Sequence, residues 1–189
     1  MAIAFDASTN GGATTGNLTY AHTCTGSNRL LIVQAYVPGA SQTITGITYA
    51  GAALTSIAGH SNSSDAFTSL WYKINPASGA NNVVVSVSSG DVASACSSFT
   101  GCLQSGQPDS NASPTQASGT SFTCSTTVVA SNCWLVFGGY DNLGTTVTGG
   151  AGTTIRQSAS AEWIGDSNGT VGTGSQSLIA SFGTSTAAD

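Results

Sequence analysis

The chain reads as an all-β protein, an antiparallel β-sandwich, and three features of its sequence predict this. Charged residues make up only 6% of the 189 positions, against about 25% in an ordinary globular domain. The polar positions are filled instead by Gly, Ser, Thr, Ala and Asn, residue types that loosen a helical backbone or compete with it for hydrogen bonds. Short apolar or alternating runs recur along the chain, each bounded by Gly, Asn, Ser or Pro, and this regular spacing is the signature of a sandwich or barrel. A hydrophobic content of 40% is too high for disorder, and 189 residues suffice for one core without a disulfide or metal staple.

In chain order, the expected strands cover 18–24, 30–37, 44–49, 67–74, 83–87, 93–99, 122–129, 134–140 and 178–182. Leu30-Leu31-Ile32-Val33 and Trp134-Leu135-Val136-Phe137 are apolar at every position, so both are placed in the middle of a sheet with cover on each face. Val83 to Ser88 alternates toward its end, which suits one buried and one wet face. A weak internal echo links Ser27-Asn28 and the run to Val33, followed by Tyr36, with Ser131-Asn132 and the run to Phe137, followed by Tyr140. Thr43-Ile44-Thr45-Gly46 matches Thr146-Val147-Thr148-Gly149 after nearly the same interval. The expectation is a single domain over 1–189, with pseudo-repeated halves at about 18–103 and 119–185 joined by a loop at 104–118.

Eight acids against three bases, Arg29, Lys73 and Arg156, give a net charge of −5. A nucleic-acid partner is not expected, because neutralising phosphates requires a basic stripe. No run approaches the ~20 apolar residues of a membrane-spanning helix, so no membrane partner is expected. The opening Met1-Ala2-Ile3-Ala4-Phe5-Asp6 lacks the basic and apolar regions of a signal peptide.

The five cysteines, Cys24, Cys96, Cys102, Cys124 and Cys133, have no zinc-site spacing. An odd count leaves at least one thiol free or paired with another chain. Buried thiols are the favoured state, and Cys124 with Cys133 is the disulfide candidate, since a short excursion between neighbouring strands brings them together.

Catalytic chemistry finds little support. Gly165-Asp166-Ser167-Asn168-Gly169 fits the G-x-S-x-G pattern of serine hydrolases, but that fold requires a later histidine, and His22 and His60 both lie upstream. The segment reads as a surface turn. Glu162 is the one glutamate, so a glycosidase carboxylate pair would have to recruit an aspartate. Asp65, Asp91, Asp109, Asp141 and Asp166 sit beside Asn, Ser or Gly, the usual setting of turn-forming acids. Calcium at Asp166 with Asn168, or at Asp141 with Asn142, lacks the full ligand spacing. No catalytic residue, metal or cofactor is therefore assigned. The sequons at Asn17, Asn62, Asn111 and Asn168 are what a Ser/Thr-rich chain contains by accident. Among the aromatics, Trp71, Tyr72, Trp134, Tyr36, Tyr49 and Tyr140 are expected in the core, while Trp163, beside Glu162 and a Gly-rich stretch, is the expected exposed ring of a glycan-binding face.

Four stretches carry a resemblance: His22 to Leu31, Ile47-Thr48-Tyr49-Ala50-Gly51-Ala52-Ala53-Leu54, Leu70-Trp71-Tyr72 with Pro76 and Gly79-Ala80-Asn81, and Ser98-Phe99-Thr100-Gly101. They resemble uncharacterised jelly-roll-like modules of tailed-phage virion proteins and bacterial surface proteins. The resemblance covers most of the chain to about residue 140, and the chain departs from the family pattern at Gln107-Pro108-Asp109. It implies a jelly-roll-like sandwich but carries over no site residue. Together with the leaderless start, the lack of catalytic residues and the low count of protease-sensitive bases, it implies a non-enzymatic virion protein made in the host cytoplasm. The expected role is a capsid decoration or cement protein, a homo-oligomer with a trimer favoured, bound to the major capsid protein or another virion protein. The alternative is a carbohydrate-binding or adhesive module of an extracellular surface protein or fibre.

Overall fold

The computed structural model describes residues 2–39, 41–62, 66–159 and 161–188, with the side chains of 58–62 excepted. Among them every regular element is a β-strand, and all strand pairings are antiparallel. The first part of the chain supplies β1 (Ala4–Thr15), β2 (Leu18–Cys24), β3 (Leu30–Pro38), β4 (Ile44–Tyr49), β5 (Ala52–Ala53), β6 (Thr55–Asn62), β7 (Ala66–Ile74), β8 (Gly79–Val87) and β9 (Asp91–Thr100). The second part supplies β10 (Gln116–Val128), β11 (Val136–Tyr140), β12 (Val147–Gly149), β13 (Thr154–Ala159), β14 (Glu162–Asp166) and β15 (Gly174–Ala188).

These strands form four sheets, ordered β2-β8-β4-β5, β1-β9-β3-β7-β6, β11-β14-β13 and β10-β15-β12. Three clusters of buried side chains lie between them. Leu31, Val33, Ala35 and Val37 of β3 pack with Ile47 and Tyr49 of β4 and Val83 and Val85 of β8, joining the four-stranded and five-stranded sheets. Phe122, Leu178 and Phe182 pack with Phe137 and Trp163, joining the two three-stranded sheets. The third cluster puts Ile32, Ala95 and Phe99 against Ile164, with Trp134 and Val136 beside it, and so fastens one sandwich to the other. The result is a stack of four β layers whose five-stranded sheet is covered on both faces.

That stacking explains the composition of the middle layer. Successive side chains of a strand point to opposite faces, so a strand covered on both sides is apolar or small throughout. In β3 the odd residues Leu31 to Val37 enter the first cluster, and Ile32 enters the third. In β9 the run Val92 to Phe99 is buried at every position. Its small residues, Ala93-Ser94-Ala95-Cys96-Ser97-Ser98, let the layers on either side approach closely.

Expected strands 18–24 and 44–49 coincide with β2 and β4. Three expectations are corrected. Trp134 and Leu135 precede β11 and lie outside any strand, and β11 is an edge strand of its sheet. It is apolar because clusters lie on both of its faces, with Phe137 in one and Val136 in the other. The crossing segment is strandless only over 101–115, since β10 starts at Gln116. Strands β1, β5, β6, β12, β13 and β14 were not expected. The first, AFDASTNGGATT, has little β-branched aliphatic content, yet pairs with β9 from Ala4 to Thr15 through two register shifts; its partner strand, more than its own composition, makes it extended.

The echoing segments have related local features. Asn28 and Asn132 both adopt positive φ, 52° and 62°, a region that Asn tolerates better than most residues. Tyr36 and Tyr140 stack on one another, ring centroids 4.2 Å apart and 12° from parallel. The first sandwich has sheets of five and four strands and the second two of three.

Candidate functional site

Most of the polar residues noted in the sequence are engaged in holding the chain together. Arg29 donates to the carbonyls of Pro76 (2.8 Å) and Gly26 (2.6 Å) and to Asn75 Oδ1 (3.1 Å). Lys73 Nζ donates to the carbonyl of Ala53 at 3.0 Å. Arg156 grips Asp166 through Nε and Nη2, at 2.7 and 2.9 Å, and donates from Nη2 to Asn168 Oδ1 at 2.8 Å. Its guanidinium lies 3.9 Å from the centroid of the Phe5 ring, tying β13 to β1. The candidate cation ligands Asp166 and Asn168 are thus occupied by a protein cation, a strong, charge-assisted and two-pronged arrangement.

Asp166 was expected in a surface turn. It is the last residue of β14 and fully buried, because its partner Arg156 comes from the adjacent strand and brings the compensating charge. Ser167 donates to the carbonyl of Gly169 at 2.7 Å and accepts from the Leu135 amide at 3.2 Å, the bonding of a turn. Asp141 is buried beside β11, where it accepts from the Leu143 amide, the Thr145 amide and hydroxyl, and the Thr186 hydroxyl. Asp109 accepts from the Val129 amide at 2.7 Å and the Ala130 amide at 3.2 Å. Asp91 accepts from the Thr15 hydroxyl at 2.5 Å. Among the described residues no group of three or more His, Cys, Asp or Glu is placed to hold a metal.

His22 lies in β2, 2% exposed, with Nδ1 2.8 Å from the Thr9 hydroxyl and its ring edge-on to Tyr49. Burial lowers its pKa, and nearby Asp6 opposes that. Burial alone would raise the Asp6 carboxyl, but hydrogen bonds from Thr25 and Ser98 bring it below the ordinary value. The side chain of His60, and all of Asp65, lie outside the described residues.

Two assignments from the sequence are overturned. Trp163 is fully buried, packed edge-on against Phe137 and Phe122. Its neighbours Glu162 and Gly165 suggested a wet turn, but they belong to a strand enclosed by sheets on both sides. Among the described residues no Trp or Tyr is exposed. The Cys124–Cys133 disulfide is absent, and all five cysteines are free. Cys124 faces Leu178 across β10 and β15, whereas Cys133 bridges to Val171 and hydrogen-bonds the carbonyl of Ala130; the excursion between them leaves Cys124 in β10 and Cys133 in an isolated bridge outside the strands.

A cleft opens where the two sandwiches and the 101–115 segment meet, with a cavity volume of about 110 Å³. Its floor is Ile57, Thr68 and Leu70 of the five-stranded sheet. One wall is Phe122, Cys124 and Leu178, the other Leu135 to Gly138, and residues 111–114 form the roof. Alternation in β7 sends Thr68 and Leu70 to this side, while Phe67 and Trp71 pack into the first cluster. Gly138 permits the close approach of the sheets beside the cleft, since a Cβ there would lie 2.9 Å from the Gln34 side chain and from the Trp163 carbonyl. Among the described residues the Thr68 hydroxyl has no hydrogen-bond partner, and Thr68 is only 6% exposed. Of this set the sequence had singled out Cys124 and Asn111 for different roles, and Leu70 and Leu135 to Phe137 as strand residues; the strand over Phe67 to Ile74 was the signal that could have shown which side chains share the face of Thr68.

No protein-family model, curated protein or solved structure matches this chain.

Proposed function

We propose that this chain is a non-enzymatic structural protein of a phage particle, a decoration or cement protein that sits on the outside of the shell and stabilises it as a homotrimer. The observation that carries this reading is that the basic side chains of an all-strand body are turned to its own chain. Each of the three basic side chains bonds its own chain, and the hydroxyl of Ser167, in the one hydrolase-like motif, is engaged with backbone. What the outer sheet presents to solvent is neutral: Thr123, Ser125 and Thr127 of β10, paired in register with Ile179, Ser177 and Ser175 of β15. Such a face makes contact through hydroxyl hydrogen bonds and shape, without the salt sensitivity of a charged one.

The reading also draws on the resemblance to virion modules and on the scarcity of protease-sensitive bases. The adhesive alternative needed a flat ring in solvent, and with Trp163 inside the core no specific observation favours it.

Mass spectrometry of gradient-purified particles from the phage that encodes the chain tests the proposal. The expected result is stoichiometric recovery with the major shell protein, and a free mass three times the 18.6 kDa of one chain on a sizing column. Absence from the particles would refute it.

A further inference from the structure

The cleft between the sandwiches has the properties of a binding site for a small molecule. Protein interiors are packed to crystal-like density, and voids larger than a water molecule are few. A cavity of about 110 Å³ is close to the ~150 Å³ scale at which an apolar cavity takes up a benzene-sized molecule. It is far below the roughly 300–1,000 Å³ of pockets for drug-sized ligands. Size therefore admits one six-membered ring or a short branched chain.

Chemistry narrows the class further. The inner lining is Ile57, Leu70, Phe122, Phe137 and Leu178. Within it the Thr68 hydroxyl is buried and, among the described residues, unpartnered. A buried hydroxyl without a partner is costly, and a bound water needs two to four polar contacts to be held. A mostly apolar ligand with one polar atom satisfies both the hydroxyl and the surrounding hydrocarbon. The roof at 111–114 is secured at its near end, where Asp109 accepts from the Val129 and Ala130 amides and Ser110 meets the Thr126 hydroxyl at 3.0 Å.

We propose that this cleft binds a small, largely apolar molecule bearing a single hydrogen-bonding group, of about the size of phenol, with Thr68 as its polar contact. The occupant is independent of the shell-binding reading, and each can fail without the other.

Phenol and benzene are the probes, used on full-length protein carrying Cys133→Ser so that Cys124, in the cleft wall, is the one partly exposed thiol. Phenol is expected to raise the melting temperature and slow thiol labelling of Cys124, with benzene weaker. Thr68→Val, which keeps the side-chain shape, is expected to weaken phenol about fivefold to tenfold, the contribution of one neutral hydrogen bond, and to leave benzene unchanged. Leu178→Trp, which fills the cleft, is expected to abolish both effects; should that variant not fold, the Thr68→Val comparison decides alone. Failure of both probes at millimolar concentration, or unchanged phenol binding in Thr68→Val, would overturn the proposal. Protection of Cys124 by purified particles and not by phenol would put a shell-protein side chain in the cleft, and would equally overturn it.

Discussion

Glu162→Gln should remove a pH dependence built into the joint between the two sandwiches. Glu162 is 1% exposed, and among the described residues its carboxylate meets no hydrogen-bond donor beyond its own backbone amide. It lies on the same face of β14 as Ile164, the face turned to the five-stranded sheet. The strands packed against it there, β3 and β9, bring few titratable groups: Tyr36 from β3, and Cys96 and the terminal Asp91 from β9. Tyr140 is its register partner on β11, Tyr20 couples to it electrostatically, and Asp166 on its own strand is already paired with Arg156. Loss of water around the carboxylate raises its pKa from 4.5 to about 7. The folded state therefore holds a proton that the unfolded chain releases, so stability is fully present below pH 4.5 and is lost as pH rises through about 7. A shift of that size corresponds to about 3 kcal/mol, or about 6–12 °C in the melting midpoint of a domain of this length. Urea unfolding of both proteins from about pH 4 to pH 8.5 reads the effect, and the variant should gain on the wild type by that amount across the range. Buried His22 titrates with the opposite sign, since its lowered pKa makes stability fall as pH drops, but it is common to both proteins and cancels in the difference. A stability difference that stays constant with pH would refute the reasoning.

Arg156→Met leaves the carboxylate of Asp166, 0% exposed, without its cation and should cost about 3–5 kcal/mol in urea unfolding; Arg156→Met with Asp166→Leu should recover most of it. An Ellman titration of the native protein should find Cys133 and Cys124 reactive. Cys96, pushed up to about 12 by burial, and Cys102, pushed up to about 11, should respond only after unfolding along with Cys24; non-reducing mass analysis should show no Cys124–Cys133 bridge. Trypsin should leave the native chain intact, because Arg29 is held by three acceptors and Lys73 and Arg156 lie within paired strands. Early cleavage after any of the three would show those segments opening locally.

Residues 30–37 show why much of the fold was legible. A run that is apolar on alternate faces states its own burial on both sides, and β3 has that cover. The segment around 162–166 shows the limit. Its glutamate, glycine and aspartate read as a wet turn, but Arg156 arrives from the neighbouring strand to neutralise Asp166, and the surrounding sheets enclose Trp163. A partner of that kind is brought into contact by strand pairing, and no local pattern announces it. The cleft was invisible for a related reason: its lining combines Thr68, Cys124, Leu178 and the 111–114 roof, which belong to separate stretches of chain.

The all-strand character of this protein was determined by the sequence alone, because Ser, Thr, Gly and Asn disfavour helices locally and alternating apolar runs specify strands wherever they fall. Tertiary structure decided which of those strands became middle and which became edge, which acids were buried, and where the cleft opened. Those outcomes depend on how four sheets stack, and stacking brings together side chains whose separation along the chain carries no information about their separation in space.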